Sequence, residues 1–211
     1  AKEMGRPFND VTKNAWYYND VYNAYANHFF YGTAANTFAP KDSMTRAMLV
    51  TVIYRMAGSP AVSESAAYPD VDNGSYYAPA VRWSTEQGIV EGFPDGTFGP
   101  NIAVTREQMV KIIYGYYTAA MKGTPANAAT LDNFADKAEV ASWSAEAMEW
   151  AVGNKIIYGS FDDNVLRLMP GQASTRSQVA AILVRFAKDF NGLNVQDYKA
   201  TTISDSAIMN E

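Results

Sequence analysis

The sequence predicts an all-α protein made of three helix-loop-helix repeats that share one hydrophobic core. Two observations support this fold class. The same landmark residues recur three times in the same order along the 211 residues. In each recurrence a threonine precedes apolar residues at i, i+4 and i+7, which is the spacing of one helix face. A two-helix unit of about 55 residues cannot bury such a face alone, so the units must pack together.

The second helix of each repeat is the more clearly predicted one. It follows a Thr-Arg pair, where the threonine is a typical helix N-cap. Gln108 and Gln178 complete a capping box in repeats 2 and 3, whereas repeat 1 has Met48 and should begin its helix less firmly. Gly58 and Gly123 are the predicted C-caps of the first two of these helices. The capping pairs and apolar stripes are Thr45-Arg46 with Leu49, Ile53 and Met56; Thr105-Arg106 with Met109, Ile113 and Tyr116; and Thr175-Arg176 with Val179, Leu183 and Phe186.

The first helix of each repeat follows an aromatic-x-Asp turn, and we expect it over residues 15–27, 77–87 and 142–152. An aromatic residue stands seven positions after each aspartate, and a glycine lies in each loop between the two helices. The loop of repeat 3 is three residues longer than the others. These landmarks are Asp10, Tyr17 and Gly32; Asp70, Tyr77 and Gly92; and Asp136, Trp143 and Gly159.

The pattern sets the predicted boundaries of the chain. Repeat 1 covers residues 1–60, repeat 2 covers 61–123, and repeat 3 covers 124–190, where repeats 2 and 3 each include a preceding linker. Residues 191–211 have no firm periodicity and are predicted to be a tail or a linker.

The composition indicates a globular protein and excludes several functional classes. Hydrophobic residues make up 48% of the chain and charged residues 18%. The absence of cysteine and the single histidine, His28, exclude disulfide scaffolds, cysteine nucleophiles and histidine-rich metal sites. The net charge of −5 argues against a nucleic-acid partner. The longest apolar run, residues 179–184, is too short to insert into a membrane, and no leader pattern begins at Ala1, so we expect a chain that is mature, trimmed or never exported.

Taken together, the motifs resemble those of the S-layer homology domain. The resemblance rests on Phe-Asn-Asp-Val at 8–11, Tyr-Pro-Asp-Val at 68–71, Gly-Ile-Val-Glu-Gly-Phe-Pro-Asp-Gly-Thr-Phe-Gly-Pro at 88–100 and Thr-Arg-Glu at 105–107, and it covers about residues 8–190. It implies a pseudo-threefold bundle whose grooves bind cell-wall polysaccharide, in many members a pyruvylated secondary cell-wall glycan. It also implies an extracellular location at the bacterial surface or S-layer, with no cofactor and no catalysis.

The Thr-Arg-Ala-Glu motif of that family is only partly kept in this sequence. All three arginines are present, but its glutamate is replaced by Met48, Gln108 and Gln178, which leaves open whether the three grooves are equivalent. An arginine in the first helical turn is unfavourable for the helix dipole but well placed to bind an anion such as a carboxylate. The predicted ligand-binding residues are therefore Arg46, Arg106, Arg176, Asp10, Asp70, Asp136, Tyr17, Tyr77, Trp143, Gly32, Gly92 and Gly159.

Other interpretations of the same residues remain open at this stage. Each arginine could form a structural ion pair with the aspartate of a repeat, and the helix-opening aromatics could belong to the core. The chain could also bind peptidoglycan or assemble with other S-layer subunits without recognising a ketal. A glycosidase is disfavoured because a catalytic carboxylate pair is unique, whereas the acidic landmarks here recur in every repeat. If the arginines face open clefts, Arg106→Ala should weaken wall binding and leave the thermal melt nearly unchanged.

Overall fold

The computed structural model describes residues 7–62 and 68–190, and its secondary structure is mainly helical. A π-helical turn at Tyr116–Ala120 extends the fourth helix, and a 3-10 turn at Lys137–Glu139 precedes the fifth. The two short strands form one antiparallel hairpin. The helices and strands within these residues are α1 Tyr18–Ala26, α2 Arg46–Met56, α3 Ala78–Glu86, α4 Arg106–Gly115, α5 Ala145–Gly153, β1 Ser160–Asp162, β2 Val165–Arg167 and α6 Arg176–Asp189.

The predicted starts of the second helices are confirmed. Thr45, Thr105 and Thr175 are N-caps, and each side-chain oxygen accepts a hydrogen bond from the third helical residue. In repeats 2 and 3 the side-chain oxygen of the glutamine at that position accepts a hydrogen bond from the threonine N–H, at 3.2 and 2.9 Å. Repeat 1 lacks this second bond, as the sequence predicts, because Met48 has no side-chain acceptor of that kind.

We expect Met48→Gln to raise the free energy of unfolding by about 0.5–1 kcal/mol, because it supplies the acceptor that completes the capping box. The measurement is the thermal unfolding midpoint by circular dichroism. Met48→Leu is the matched control, since it also removes the thioether that lies 3.8 Å from Arg176 Nη1. A Met48→Gln midpoint at or below that of Met48→Leu would contradict the capping argument.

The first helices form where they are predicted but begin later, at residues 18, 78 and 145. Their N-cap residues are Tyr17, Tyr77 and Ser144. The 3-10 turn in repeat 3 adds one residue between the aspartate and the helix. Trp143 therefore precedes the N-cap by one position, and its structural counterparts are Trp16 and Tyr76 rather than Tyr17 and Tyr77.

The helix ends follow the sequence less closely than the starts. Gly58 directly follows the C-cap of α2 with φ of +84°, the left-handed conformation typical of this position. The prediction for Gly123 is wrong, because the π-helical turn moves the helix end to Met121 and Lys122 takes the left-handed conformation, with φ of +58°. His28 is exposed and left-handed, as is its counterpart Gly88.

The packing of the helices links each repeat to the next. Helix α3 packs on α2, α5 packs on α4, and α1 packs on α6, so that the first and last repeats are also joined. Backbone hydrogen bonds between Met44, Val104 and Ser174 form a closed ring: Met44 donates to Ser174, Ser174 to Val104, and Val104 to Met44, at 2.8–3.0 Å. All nine residues of the predicted apolar stripes in the second helices are buried in the shared core.

Repeat 3 departs from a purely helical description. Its longer loop forms the hairpin β1–β2, where the two-residue connection Asp163–Asn164 has positive φ at both positions, as tight hairpin turns require. The linker of repeat 3 runs along α5, where Ala129 N–H donates to the Glu149 carbonyl at 3.0 Å. The predicted tail, 191–211, lies outside the described residues. Within the described ranges no helix is both long enough and apolar enough to span a bilayer.

Candidate functional site

The three motif arginines reach from one repeat into the loop of the next. Arg46 Nε donates to the Phe98 carbonyl at 2.9 Å. Arg106 Nε donates to the Leu168 carbonyl at 2.8 Å, and Arg176 Nε donates to the Phe38 carbonyl at 2.8 Å. Arg46 and Arg176 make a second bond, from Nη2 to the Glu91 and Tyr31 carbonyls respectively. Each arginine therefore holds two repeats together.

These arginines are more buried than the sequence predicts. Only 5–7% of each residue is exposed. The loop between the two helices of the neighbouring repeat covers the helix start. Burial lowers the pKa of Arg46, Arg106 and Arg176 below the usual arginine value. Within residues 7–62 and 68–190, no carboxylate oxygen lies within 4.0 Å of any of the three, so the ion-pair interpretation is not supported. Neutral carbonyl oxygens bind each guanidinium directly. Aspartates act on it only through space and oppose the fall in its pKa: Asp70 for Arg46, Asp136 for Arg106, and Asp42 and Asp10 for Arg176.

The landmark aspartates bind backbone N–H groups of the loops in their own repeats. Asp10 accepts hydrogen bonds from the Phe38 and Ala39 backbone N–H groups, at 2.9 and 2.7 Å. Asp70 and Asp136 bind the two equivalent N–H groups of their own repeats at 2.7–2.8 Å. Each carboxylate therefore fixes the loop that carries the carbonyl to which an arginine binds.

Three grooves lie at the junctions of the repeats, and each is lined by residues of all three repeats. Groove A, of about 350 Å³, is formed by the loop and second helix of repeat 1, with Arg176 and Tyr76. Groove B, of about 550 Å³, is formed by repeat 2, with Arg46 and Trp143. Groove C, of about 200 Å³, is formed by repeat 3, with Arg106 and Trp16. The three arginines thus lie at one edge of three open hollows.

The aromatic residue of each groove is highly exposed. Trp16 is 64% exposed, Tyr76 62% and Trp143 50%. Tyr17 and Tyr77, which the sequence selects, are half-buried against the core and do not line these grooves. Repeat 3 has one additional residue in its turn, so a constant seven-residue spacing from the aspartate reaches a groove aromatic only in that repeat.

The loop glycines line the grooves, but packing explains why they are glycines. A Cβ at Gly32 would lie 2.6 Å from the Thr37 carbonyl oxygen. A Cβ at Gly92 or Gly159 would come within 2.8 Å of the Thr97 or Arg167 carbonyl oxygen. In all three repeats the glycine allows the two sides of the loop to approach, and its backbone forms part of the groove wall.

Groove B has a distinct electrostatic environment. Glu91 lies in its lining, together with Lys111 and Tyr114. Burial and a 2.6 Å hydrogen bond to the Glu146 carboxylate raise the pKa of Tyr114 to about 12. The Lys111 ammonium lies 5.7 Å from the centre of the Tyr114 ring. Groove B is therefore lined by two basic residues, Arg46 and Lys111, and one acidic residue, Glu91.

Sequence reasoning missed four residues that line the grooves. Trp16 and Tyr76 each precede a selected tyrosine, so a doubled aromatic at the helix start was the available signal. Arg55 and Arg185 lie ten positions after the capping threonines of α2 and α6 and line grooves A and C. Their shared offset from the Thr-Arg pair could have identified them, but repeat 2 has Gly115 at this position.

Comparisons with known proteins agree with the repeated geometry. A model of the S-layer homology domain family matches residues 7–47 and 67–110. An endoglucanase of Bacillus sp. strain KSM-635 is 28% identical over 183 residues, which is 87% of this chain and 19% of the relative. The Surface-layer 125 kDa protein of Lysinibacillus sphaericus is 29% identical, over 73% of this chain and 12% of the relative.

The S-layer protein sap of Bacillus anthracis is 24% identical over 94% of this chain and 24% of its own length. The chain therefore spans less than a quarter of the length of each of these three relatives. The matched segments contain Thr45-Arg46, Thr105-Arg106, Gly32 and Gly92, which are the residues that build the junctions of repeats 1 and 2. Residues 7–47 and 67–110 therefore match the S-layer homology domain family, and these segments lie in the first two of the three repeats.

Proposed function

We propose that the chain is a non-covalent cell-surface anchoring module that binds an anionic, pyruvylated secondary cell-wall polysaccharide in grooves A, B and C. One observation carries the proposal. Each groove combines a nearly buried arginine that has no carboxylate partner with an exposed aromatic ring from another repeat. These are the two chemical features that an acidic sugar requires.

The arginine accounts for recognition of the acid. A buried cation with no carboxylate in direct contact carries a desolvation cost that an incoming carboxylate would offset. The nitrogen Nε of each arginine is already used by a carbonyl, so the guanidinium is fixed in orientation before a ligand arrives. A fixed guanidinium loses little conformational freedom when it binds, which favours a tight and specific contact.

The aromatic rings account for recognition of the sugar. Trp16, Tyr76 and Trp143 each place a large apolar face beside a groove, and a pyranose ring can pack on such a face. Because the ring and the arginine of each groove come from different repeats, a single repeat could not form such a groove. We propose accordingly that repeats 1–60, 61–123 and 124–190 form a pseudo-threefold bundle, which the ring of hydrogen bonds between Met44, Val104 and Ser174 supports.

The relatives support a binding module without its own catalysis. They include an endoglucanase and two surface-layer proteins, and in each the similarity is confined to a small part of the relative. A segment that occurs in both kinds of protein is better explained by a shared location than by a shared reaction. We therefore propose an extracellular location at the bacterial surface, with no enzymatic activity and no cofactor.

Sedimentation with purified sacculi of Lysinibacillus sphaericus tests the proposal. We expect the protein to pellet with native sacculi and to stay in the supernatant when hydrofluoric acid has removed the anionic polymer. A Trp16→Ala, Tyr76→Ala, Trp143→Ala variant should lose most binding, whereas Phe161→Ala, at a 75% exposed position outside the three grooves, should keep it. Undiminished binding to extracted sacculi would replace the proposed ligand by peptidoglycan or another wall component. Pelleting of the protein without sacculi would instead indicate self-assembly.

A further inference from the structure

Grooves A and C contain a second arginine that is held in the same way in both. Arg55 Nη1 donates to the Phe29 carbonyl at 3.3 Å, and its guanidinium lies 4.6 Å from the centre of the Tyr31 ring. Arg185 Nη1 donates to the Ile156 carbonyl at 2.8 Å, and its guanidinium lies 5.0 Å from the Tyr158 ring. The same carbonyl and ring positions orient both side chains, so the arrangement is repeated.

Groove B lacks both the arginine and its ring. Gly115 takes the place of the arginine, and Glu91 takes the place of the tyrosine. A Cβ at Gly115 would lie 2.9 Å from the Ile89 carbonyl oxygen, the counterpart of the Phe29 and Ile156 carbonyls. The loop therefore approaches the helix too closely for a side chain at this position. Groove B, which lacks this side chain, has the largest volume of the three grooves.

The two arginines of groove A act on each other and on the groove tyrosine. Burial lowers the pKa of Arg176; Tyr76, Asp42 and Asp10 oppose this fall, and the positive charge of Arg55 adds to it. Burial raises the pKa of Tyr76, while the charges of Arg55 and Arg176 oppose this rise. In the described part of the chain no carboxylate lies within 4.0 Å of Arg55 or Arg185. Burial raises the pKa of the half-buried Asp20 on α1, and the charge of Arg185 opposes this rise. In the same groove the charge of Asp136 opposes the fall in the pKa of Arg106.

We infer that Arg55 and Arg185 select the acidic saccharide, so that grooves A and C bind its carboxylate between two arginines while groove B binds the acid more weakly. This inference rests on the proposed function. A carboxylate has two oxygen atoms with about four acceptor sites and can take donors from two guanidinium groups at once. In groove B the second arginine is absent, because Gly115 stands at its position.

Fluorine NMR of protein labelled with 5-fluorotryptophan can observe the grooves separately. The chain has four tryptophans: Trp16 reports on groove C, Trp143 on groove B, and the buried Trp83 and Trp150 serve as internal controls. A Tyr76→Trp variant adds a reporter in groove A. The probe is the methyl glycoside of an N-acetylhexosamine with a 4,6-pyruvyl ketal, and its methyl ester is the neutral control.

We expect the Trp16 signal, and the additional signal of the Tyr76→Trp variant, to saturate at concentrations of the acid about tenfold lower than the Trp143 signal, since one more charge-assisted hydrogen bond is worth about this much. The difference should disappear with the ester.

Arg55→Gln and Arg185→Gln should each raise the dissociation constant of their own groove about tenfold. Arg55→Lys should restore part of the affinity. Lys111→Gln should have less than about a twofold effect on grooves A and C. All variants should remain folded at the temperature of the titration, as their thermal melts can check.

Equal saturation of the three grooves, or tighter binding of the acid at Trp143, would overturn the inference and leave the proposed function intact. The absence of shifts in every groove would contradict the proposed ligand itself, and the inference would fail with it. A loss of affinity in Arg55→Gln that also affects the neutral ester equally would make Arg55 a structural residue of the groove.

Discussion

Asp136→Ala is expected to lower the thermal unfolding midpoint by roughly 10 °C. The carboxylate is almost fully buried and accepts hydrogen bonds from the Leu168 and Met169 N–H groups. Its removal leaves two backbone donors without a partner, which costs roughly 3–5 kcal/mol, and a chain of this size loses about 2–4 °C per kcal/mol. The loop of repeat 3 would then no longer present the carbonyl to which Arg106 binds.

Asp132→Ala is the matched control for this experiment. Asp132 lies in the same repeat with a side chain that is 70% exposed, and it pairs with Lys137 at the surface. Such an exposed pair contributes little to stability, so the control should melt within a few degrees of the wild type. Equal midpoints for the Asp136→Ala and Asp132→Ala variants would show that the buried carboxylate does not hold the loop.

Arg176→Ala is expected to reduce both stability and binding. The side chain joins repeat 3 to repeat 1 through two hydrogen bonds and lies 4.8 Å from the centre of the Phe38 ring. Loss of these contacts should cost roughly 2–4 kcal/mol, because the Phe38 and Tyr31 carbonyls lose their donors and the cation–π contact is removed. Thermal unfolding and sedimentation with native sacculi measure the two effects.

Arg106→Ala provides a graded comparison. Arg106 makes a single hydrogen bond across the junction, to Leu168, and repeat 3 has no aromatic ring at that position. The sequence predicts an unchanged melt for Arg106→Ala. From the structure we expect instead a moderate loss of stability, smaller than that of Arg176→Ala. A larger loss in Arg106→Ala, or a wild-type melt in Arg176→Ala, would contradict the role of the cross-repeat contacts.

Local features of the fold were readable from the sequence. The capping threonines, the presence of a capping box in repeats 2 and 3, and the buried stripes of the second helices are confirmed, since these depend on residues close together in the chain. The end of α4 could not be predicted from the sequence. Because of the π-helical turn, the left-handed conformation falls on Lys122 and not on Gly123. The hairpin in repeat 3 was visible only as a longer loop.

The candidate site was predicted in part. Repetition selected Arg46, Arg106 and Arg176. Their burial could not be predicted, because the loop that covers each of them lies more than 40 residues away in the sequence. For Arg176 that loop lies near the opposite end of the chain. Repetition also drew attention to the three aspartates, whereas their bonds to backbone N–H groups could be known only from the folded loops. Spacing alone also selected Tyr17 and Tyr77, one residue away from the groove aromatics.

A crystal structure of the protein with a pyruvylated wall-polysaccharide fragment tests the central claim most directly. We predict the ketal carboxylate in groove A, within hydrogen-bond distance of Arg176 and Arg55, with the sugar ring packed on Tyr76, and the same arrangement in groove C around Arg106, Arg185 and Trp16. A fragment bound away from the three grooves, or bound with its carboxylate turned towards solvent, would contradict the account.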